Sequence, residues 1–319
     1  MANMTSNWRW VLVTAIAPLA WGANYFVTRA FLPADTPLWG AVIRALPAGI
    51  LLLALARQLP RGHWWWRSVV LGALNVGAFF ALVYVASQLL PSSTAATLMA
   101  TSAAVLLLLA WPLLGERPTF VAICGTALGF AGVLVMFAAP GGSVDLLGVL
   151  ASLGAMFMSS TGFILTKRWG GDIPLLALTS WQLVAGGVLL VPFAIVAEGA
   201  VPSPDPPALA AYAFTTLVAT ALAYVAWFAG LRHLSAGTVG LVGLLNPVAG
   251  VALGTLVAGE AFGLREAIGT ALILAGVLLG RRPTAAAPAE FHHRPRRGLP
   301  HRRRARTRQT ESSTCPPVR

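Results

Sequence analysis

Residues 111–135 (WPLLGERPTFVAICGTALGFAGVLV) align without a gap with residues 255–279 (TLVAGEAFGLREAIGTALILAGVLL), at an offset of 144 residues. Within them, GTALGFAGVLV (125–135) and GTALILAGVLL (269–279) agree at eight of eleven positions. Each copy is preceded by a Gly-Glu pair, Gly115-Glu116 and Gly259-Glu260. A shared preference for Leu, Ala and Gly does not hold register over such a length, so the chain contains a duplicated unit.

The nature of the unit follows from composition. Of 319 residues, 57% are hydrophobic and 10% charged, whereas about a quarter of the residues in a soluble protein are charged. Apolar runs, mostly of about 19 to 23 residues, are the length an α-helix needs to cross the hydrocarbon core. Ten such runs lie at roughly 10–28, 38–56, 68–87, 93–113, 120–138, 146–166, 175–197, 208–230, 238–258 and 267–280. Backbone groups facing lipid must be satisfied within the segment, and no short alternating pattern suggests a barrel. The fold class is therefore an all-α integral membrane protein with ten transmembrane helices.

Loop charge sets the orientation. With the N-terminus inside, ten cations (Arg9, Arg57, Arg61, Arg67, Arg117, Lys167, Arg168, Arg232, Arg281 and Arg282) fall on the cytoplasmic side and two (Arg29 and Arg265) outside. Asp35, Asp145, Glu198, Asp205, Glu260 and Glu266 then occupy outer loops. Both termini are predicted cytoplasmic, in a cell (inner) membrane. Each copy holds five spans, and an odd number turns the second copy upside down, so the chain reads as two inverted five-helix repeats, 1–140 and 141–282. Phe80 and Tyr84 correspond to Tyr224 and Phe228. Inverted repeats are a recurrent plan of secondary transporters, with substrate bound near the midplane where the copies meet.

Residues 283–319 differ in character. Nine Arg and six Pro with almost no large apolar residue predict a disordered basic cytoplasmic tail attracted to anionic lipid headgroups. No aromatic or structured module accompanies the charge, so no nucleic-acid partner is expected. Cys124 inside a span and Cys315 in the tail are not placed to form a disulfide.

Polar side chains inside spans carry a cost in lipid and so mark sites. Asn75, Gln182 and Asn246 lie about 11 to 12 Å into their spans and Ser102 about 13 Å, near one plane; Asn24 and Arg44 meet at a second level toward the outer side. Two readings stand for each: a substrate-binding group, or a hydrogen bond to a neighbouring helix. Arg44 is the one charged residue deep in a span. It costs roughly 2.5 to 3.5 kcal/mol on insertion scales, and either attracts an anionic substrate group in a water-filled cavity or bonds carbonyls and Asp35. Phe80 with Tyr84, and Tyr224 with Phe228, share helix faces that the inversion directs toward opposite membrane surfaces. They are candidate gates or, alternatively, a lipid-facing aromatic belt. Trp64-Trp65-Trp66 before Arg67 reads as an interfacial anchor. Pro112 and Pro247 are candidate kinks. No phosphate-binding loop, intramembrane His or buried carboxylate pair is present, so no catalytic residue, metal or cofactor is assigned and an enzyme is not expected.

These features together resemble the EamA-type branch of the drug/metabolite transporter superfamily. The likeness covers nearly all of residues 10–280. It rests on Trp21-Gly22-Ala23-Asn24-Tyr25, on Arg44, on an aromatic-rich helix followed by a small-residue helix ending in Gly-Glu in each half, and on the stretch from Tyr224 through Ala236, Asn246-Pro247 and Gly259-Glu260 to Gly276. The first copy departs by carrying Ala103 where the second has Pro247, so a matching kink at that point of span four is not expected. The resemblance implies a ten-helix inner-membrane carrier with a central cavity, exporting amino acids, related metabolites or toxic small molecules. It implies alternating access, with a small-molecule substrate between the repeats. The other reading is a non-transporting membrane sensor or scaffold.

Overall fold

The computed structural model describes residues 2–102, 105, 109, 111–113, 120–137, 145–171, 173–233 and 242–280. Among the described residues every regular element is helical. In chain order the helices are α1 (Ala2–Phe31), α2 (Pro37–Ala56), α3 (Trp64–Leu89), α4 (Ser92–Ala100), α5 (Phe120–Phe137), α6 (Leu146–Gly170), α7 (Leu175–Glu198), α8 (Pro206–Gly230, its last turn running on to His233), α9 (Leu245–Leu256) and α10 (Leu264–Gly280). Six of these, α1, α2, α3, α6, α7 and α8, are long and apolar enough to cross a membrane. The spans expected at 93–113 and 238–258 are described in part, and the basic tail at 283–319 lies outside the described residues.

The twin stretches pack against one another. A methyl group on Gly132 of α5 would lie 2.6 Å from the Gly269 carbonyl of α10, and one on Gly276 would run into the backbone of Gly125 and Gly129. The contact is reciprocal, because Gly269 is the counterpart of Gly125 and Gly276 that of Gly132, and the two helices run antiparallel. Corresponding helices α2 and α7 do the same: Gly49 faces Leu183 and Val184, while Gly187 faces Ala45 and Leu46. In α4 and α9, Gly250 meets Ala96 and Gly254 meets Ser93. Small residues at these crossings let the backbones approach, which is how helices gain packing where lipid offers no hydrophobic drive.

Four of the acids assigned to outer loops cap helix N-termini, whose first N–H groups have no partner within the helix. Asp145 accepts from the amides of Leu147 and Gly148 at 2.9 and 3.2 Å, and Asp205 from that of Ala208 at 2.9 Å. Two caps come from far along the chain. Glu198, at the end of α7, accepts from Leu38 N–H and Trp39 N–H of α2 at 2.6 and 2.8 Å. Glu260 accepts from Ser92 N–H and Ser93 N–H of α4 at 2.7 and 3.0 Å, and from the Ser93 hydroxyl at 3.0 Å. Glu116 lies outside the described residues.

Among the described residues, two helices widen locally. Ala73–Gly77 in α3 and Phe214–Leu222 in α8 are π-helical, and they occupy corresponding positions at the same offset of 144. Span nine is interrupted by a turn at Leu244 before α9, where Pro247 has no N–H to return to the Gly243 carbonyl. Span four is also interrupted, at Thr101, which corrects the expectation drawn from Ala103. Here the Thr101 hydroxyl bonds the Leu98 carbonyl at 2.7 Å, a side-chain bond that competes with the helical one.

Candidate functional site

A cavity of about 110 Å³ lies among α1, α2, α3, α6 and α8 and the interrupted parts of spans four and nine. Both halves of the chain line it: Asn24, Arg44 and Ser102 from the first, Ser159, Tyr224 and Asn246 from the second.

The cavity is organised by Arg44. Its Nε–H donates to Thr220 Oγ1 at 2.7 Å and its Nη2–H to the Ala219 carbonyl at 3.3 Å. Its guanidinium lies over the Phe80 ring, 3.9 Å from the centroid. Ala219 and Thr220 sit in the π-helical segment of α8. A π turn moves carbonyls away from their usual helical donors; Ala219 O accepts from both Arg44 and the Trp21 indole N–H, the latter at 3.0 Å. Arg44 is 7% exposed, and among the described residues no carboxylate pairs with it. It neither snorkels to the surface nor reaches Asp35.

Around this charge lie polar atoms without partners. Asn24 Oδ1, Asn246 Oδ1 and the Trp227 indole nitrogen are buried and make no hydrogen bond among the described residues, yet all three residues line the cavity. Unsatisfied buried polar groups are costly and uncommon. Trp21, Tyr224 and Trp227 form an aromatic wall, with Trp21 5.7 Å from Tyr224 and 5.2 Å from Trp227 between centroids.

The six polar residues singled out above therefore divide into two groups. Asn24, Arg44, Ser102 and Asn246 line the cavity. Asn75 and Gln182 do not: Asn75 Nδ2–H donates to Gln182 Oε1 at 2.7 Å and Thr166 Oγ1 at 3.1 Å, and Gln182 Nε2–H donates to the Leu178 carbonyl at 3.1 Å. The two are linked to the site through Tyr224, whose hydroxyl donates to the Asn75 carbonyl at 2.9 Å.

The aromatic pairs correct one expectation. Phe80, Tyr84, Tyr224 and Phe228 are all buried, at 5% exposure or less, which removes the reading of a lipid-facing belt. Nor do the pairs stand at opposite surfaces, because Phe80 and Tyr224 meet edge to face at 6.0 Å. Only the outer members diverge, Tyr84 donating to the Pro33 carbonyl at 2.6 Å and Phe228 packing on Phe163 at 6.3 Å. Phe80 and Tyr224, equivalent at the offset of 144, meet where the two copies of the unit face each other. Trp21 joins the site from the stretch that carries the resemblance, and Ser159, Thr220 and Trp227 join it without a signal in the sequence, since a tryptophan or hydroxyl in a span reads equally well as packing.

Comparison with known proteins agrees with this architecture. The model of the EamA-like transporter family matches twice, at residues 8–138 and 146–281. The chain is 35% identical over 268 residues to protein PecM of Dickeya dadantii, covering 82% of this chain and 89% of that protein. It is 27% identical over 266 residues to the inner membrane transporter YedA of Escherichia coli strain K12, covering 82% and 87%. A crystal structure superposes with a TM-score of 0.62 over 85% of this chain and 98% of its own, at 20% identity, a likeness of fold. With both halves of the chain matched and the helical bundle in hand, this protein belongs to the EamA-like transporter family and is a multi-pass membrane transporter, not an enzyme.

Proposed function

We propose that the protein exports a small organic metabolite bearing a carboxylate or similar anionic group, an amino acid or related compound, by alternating access. The observation that carries this reading is the buried charge of Arg44 on the wall of a central cavity, which among the described residues no carboxylate pairs. An uncompensated charge in a low-dielectric site is unfavourable, and an anionic ligand relieves it. The free oxygens of Asn24 and Asn246 supply acceptors for N–H or O–H groups elsewhere on the same ligand. Asn75 and Gln182 hold Tyr224 in place from behind.

The substrate lies between two inverted five-helix repeats, 1–140 and 141–282, and both termini face the cytoplasm. The antiparallel, reciprocal packing of α5 on α10 and of α2 on α7 supports the inversion. A cavity of about 110 Å³ is small beside the roughly 300–1,000 Å³ of ligand pockets, so substrate enters only when the repeats rock apart. Phe80, Tyr84, Tyr224 and Phe228 act as gates in that motion, the central Phe80–Tyr224 contact parting as one end opens.

The test is expression in a sensitive bacterium, screening against amino-acid analogues and antimicrobial compounds, with accumulation of each hit measured directly. Arg44→Ala and Arg44→Lys variants that reach the membrane normally are expected to lose export, Lys retaining more than Ala. Unchanged export in both overturns the substrate role of Arg44.

A further inference from the structure

Away from the cavity, a second arginine is held in an unusual way. Arg67 lies in the first turns of α3, and its guanidinium carbon is 5.5 Å from the Trp64 ring centroid, 5.6 Å from that of Trp66 and 5.4 Å from that of Trp169. All three distances fall within cation–π range. Trp169 is far along the chain from Arg67, in the last turn of α6, and its ring meets Trp66 edge to face at 5.3 Å. The cage is thus assembled from two helices. Among the described residues no acceptor bonds the guanidinium: Nε is buried without a partner, while the terminal nitrogens keep access to the surface. The indoles fix the planar group and leave its hydrogen-bonding edge unused.

The position of the cage says what meets that edge. α3 and α6 are both membrane-crossing by length and composition, and the cage sits where one begins and the other ends, at the boundary of water and hydrocarbon. Trp65, Trp66 and Val69 expose 58%, 51% and 45% of their surface, an apolar strip leading from the boundary into the acyl region. Arg57, Arg61 and Arg168 are exposed nearby in the same turns and loops, so the surrounding field is positive.

We propose that Arg67 with Trp64, Trp66 and Trp169 forms a binding site for one anionic phospholipid. The headgroup phosphodiester takes the free edge of the guanidinium, whose planar donors suit a phosphate. The indoles lie at headgroup depth, as amphipathic rings do, and an acyl chain runs along Trp65 and Val69. The neighbouring arginines favour a headgroup of net negative charge over a zwitterionic one. This site differs from the substrate cavity and does not depend on its assignment.

Native mass spectrometry of the purified full chain with phosphatidylglycerol, phosphatidylcholine or inorganic phosphate tests the proposal. Wild-type protein retains one phosphatidylglycerol more strongly than phosphatidylcholine. Arg67→Gln is expected to lower that retention about tenfold, the scale of one charge-assisted contact, with Arg67→Lys intermediate and Arg265→Gln, outside the cage, unchanged. Trp169→Leu, which keeps the charge and opens the cage, lowers it less. Each variant is first shown to be folded by its elution profile and melting temperature. Equal retention of phosphatidylglycerol by wild type and Arg67→Gln overturns the proposal, as does equal retention of phosphatidylcholine. Stabilisation by inorganic phosphate as large as that by phosphatidylglycerol assigns the site to a soluble anion and overturns the lipid.

Discussion

A buried guanidinium survives only if its neighbours are arranged for it. For Arg44 those neighbours are the Thr220 hydroxyl, the Ala219 carbonyl and the face of Phe80. Thr220→Val keeps the shape and removes the acceptor of Nε–H, leaving a charged donor unpaired at a cost of about 1.5 to 3 kcal/mol. The variant is expected to melt at a lower temperature in detergent, and Thr220→Ser to melt close to wild type; equal melting of all three would show that the bond does not hold the arginine. Asn75 makes a similar case from the opposite side. A methyl group on Gly162 would run into its side-chain amide, which is bonded to Thr166 and Gln182 and has little freedom to move. Gly162→Ala is therefore expected to destabilise by roughly 1 to 3 kcal/mol, read as a lower melting temperature with export reduced in proportion to folded protein. Arg44, Asn24, Ser102 and Asn246 could be picked out in the sequence because a polar group in an apolar run has few reasons to be there. The partners of Arg44 could not: Thr220 is one of several threonines in its span, and its role depends on which way a widened turn points its hydroxyl.

Helices are the next scale, and their ends are where charge and backbone meet. The outer-loop acids marked orientation in the sequence, yet four of them are N-terminal caps. Glu198 and Glu260 each reach from the second half of the chain to a helix of the first, contacts that no local pattern announces because a capping residue is ordinarily adjacent in sequence. At the start of α4 the Glu260 carboxylate satisfies two backbone donors and one hydroxyl. Glu260→Ala is expected to destabilise by about 1 to 2 kcal/mol, and Glu260→Gln by less, since an amide oxygen still accepts from one donor. Hydrogen exchange localises the effect: faster exchange at 92–96 with little change in α7 supports the cap, and uniform change across the bundle argues against it. The π-helical segments were illegible for a plainer reason. A shift from one backbone acceptor to the next leaves no trace in hydrophobicity, so Ala73–Gly77 and Phe214–Leu222 look like ordinary helix in composition. The break at Leu244 was visible through Pro247, whereas that at Thr101 has no proline and rests on a side-chain bond.

For the whole molecule the duplication was legible because packing constrains sequence most where backbones touch, and 125–135 and 269–279 are two sides of one glycine-lined contact. Antiparallel packing of counterparts is what a pseudo-two-fold axis in the membrane plane produces; an axis along the membrane normal would make them parallel. The loop after α2 and the loop after α7 are equivalent in the two copies, so the proposed inversion sends them to opposite sides of the membrane. The first carries Arg57 and Arg61, the second Asp205 with Glu198 at its edge, and the proposed orientation puts the first in the cytoplasm, where positive charge is in excess. Leu59 and Val201 are 63% and 57% exposed in these loops and suit single-cysteine labelling once Cys124 and Cys315, the two cysteines of the chain, are replaced by serine. In intact cells a membrane-impermeant maleimide is expected to label Val201→Cys, and to label Leu59→Cys only after permeabilisation. The opposite pattern would keep the inversion and reverse the orientation. Labelling of both positions from one side would sink the inverted repeat itself, and with it alternating access by rocking of two equivalent halves.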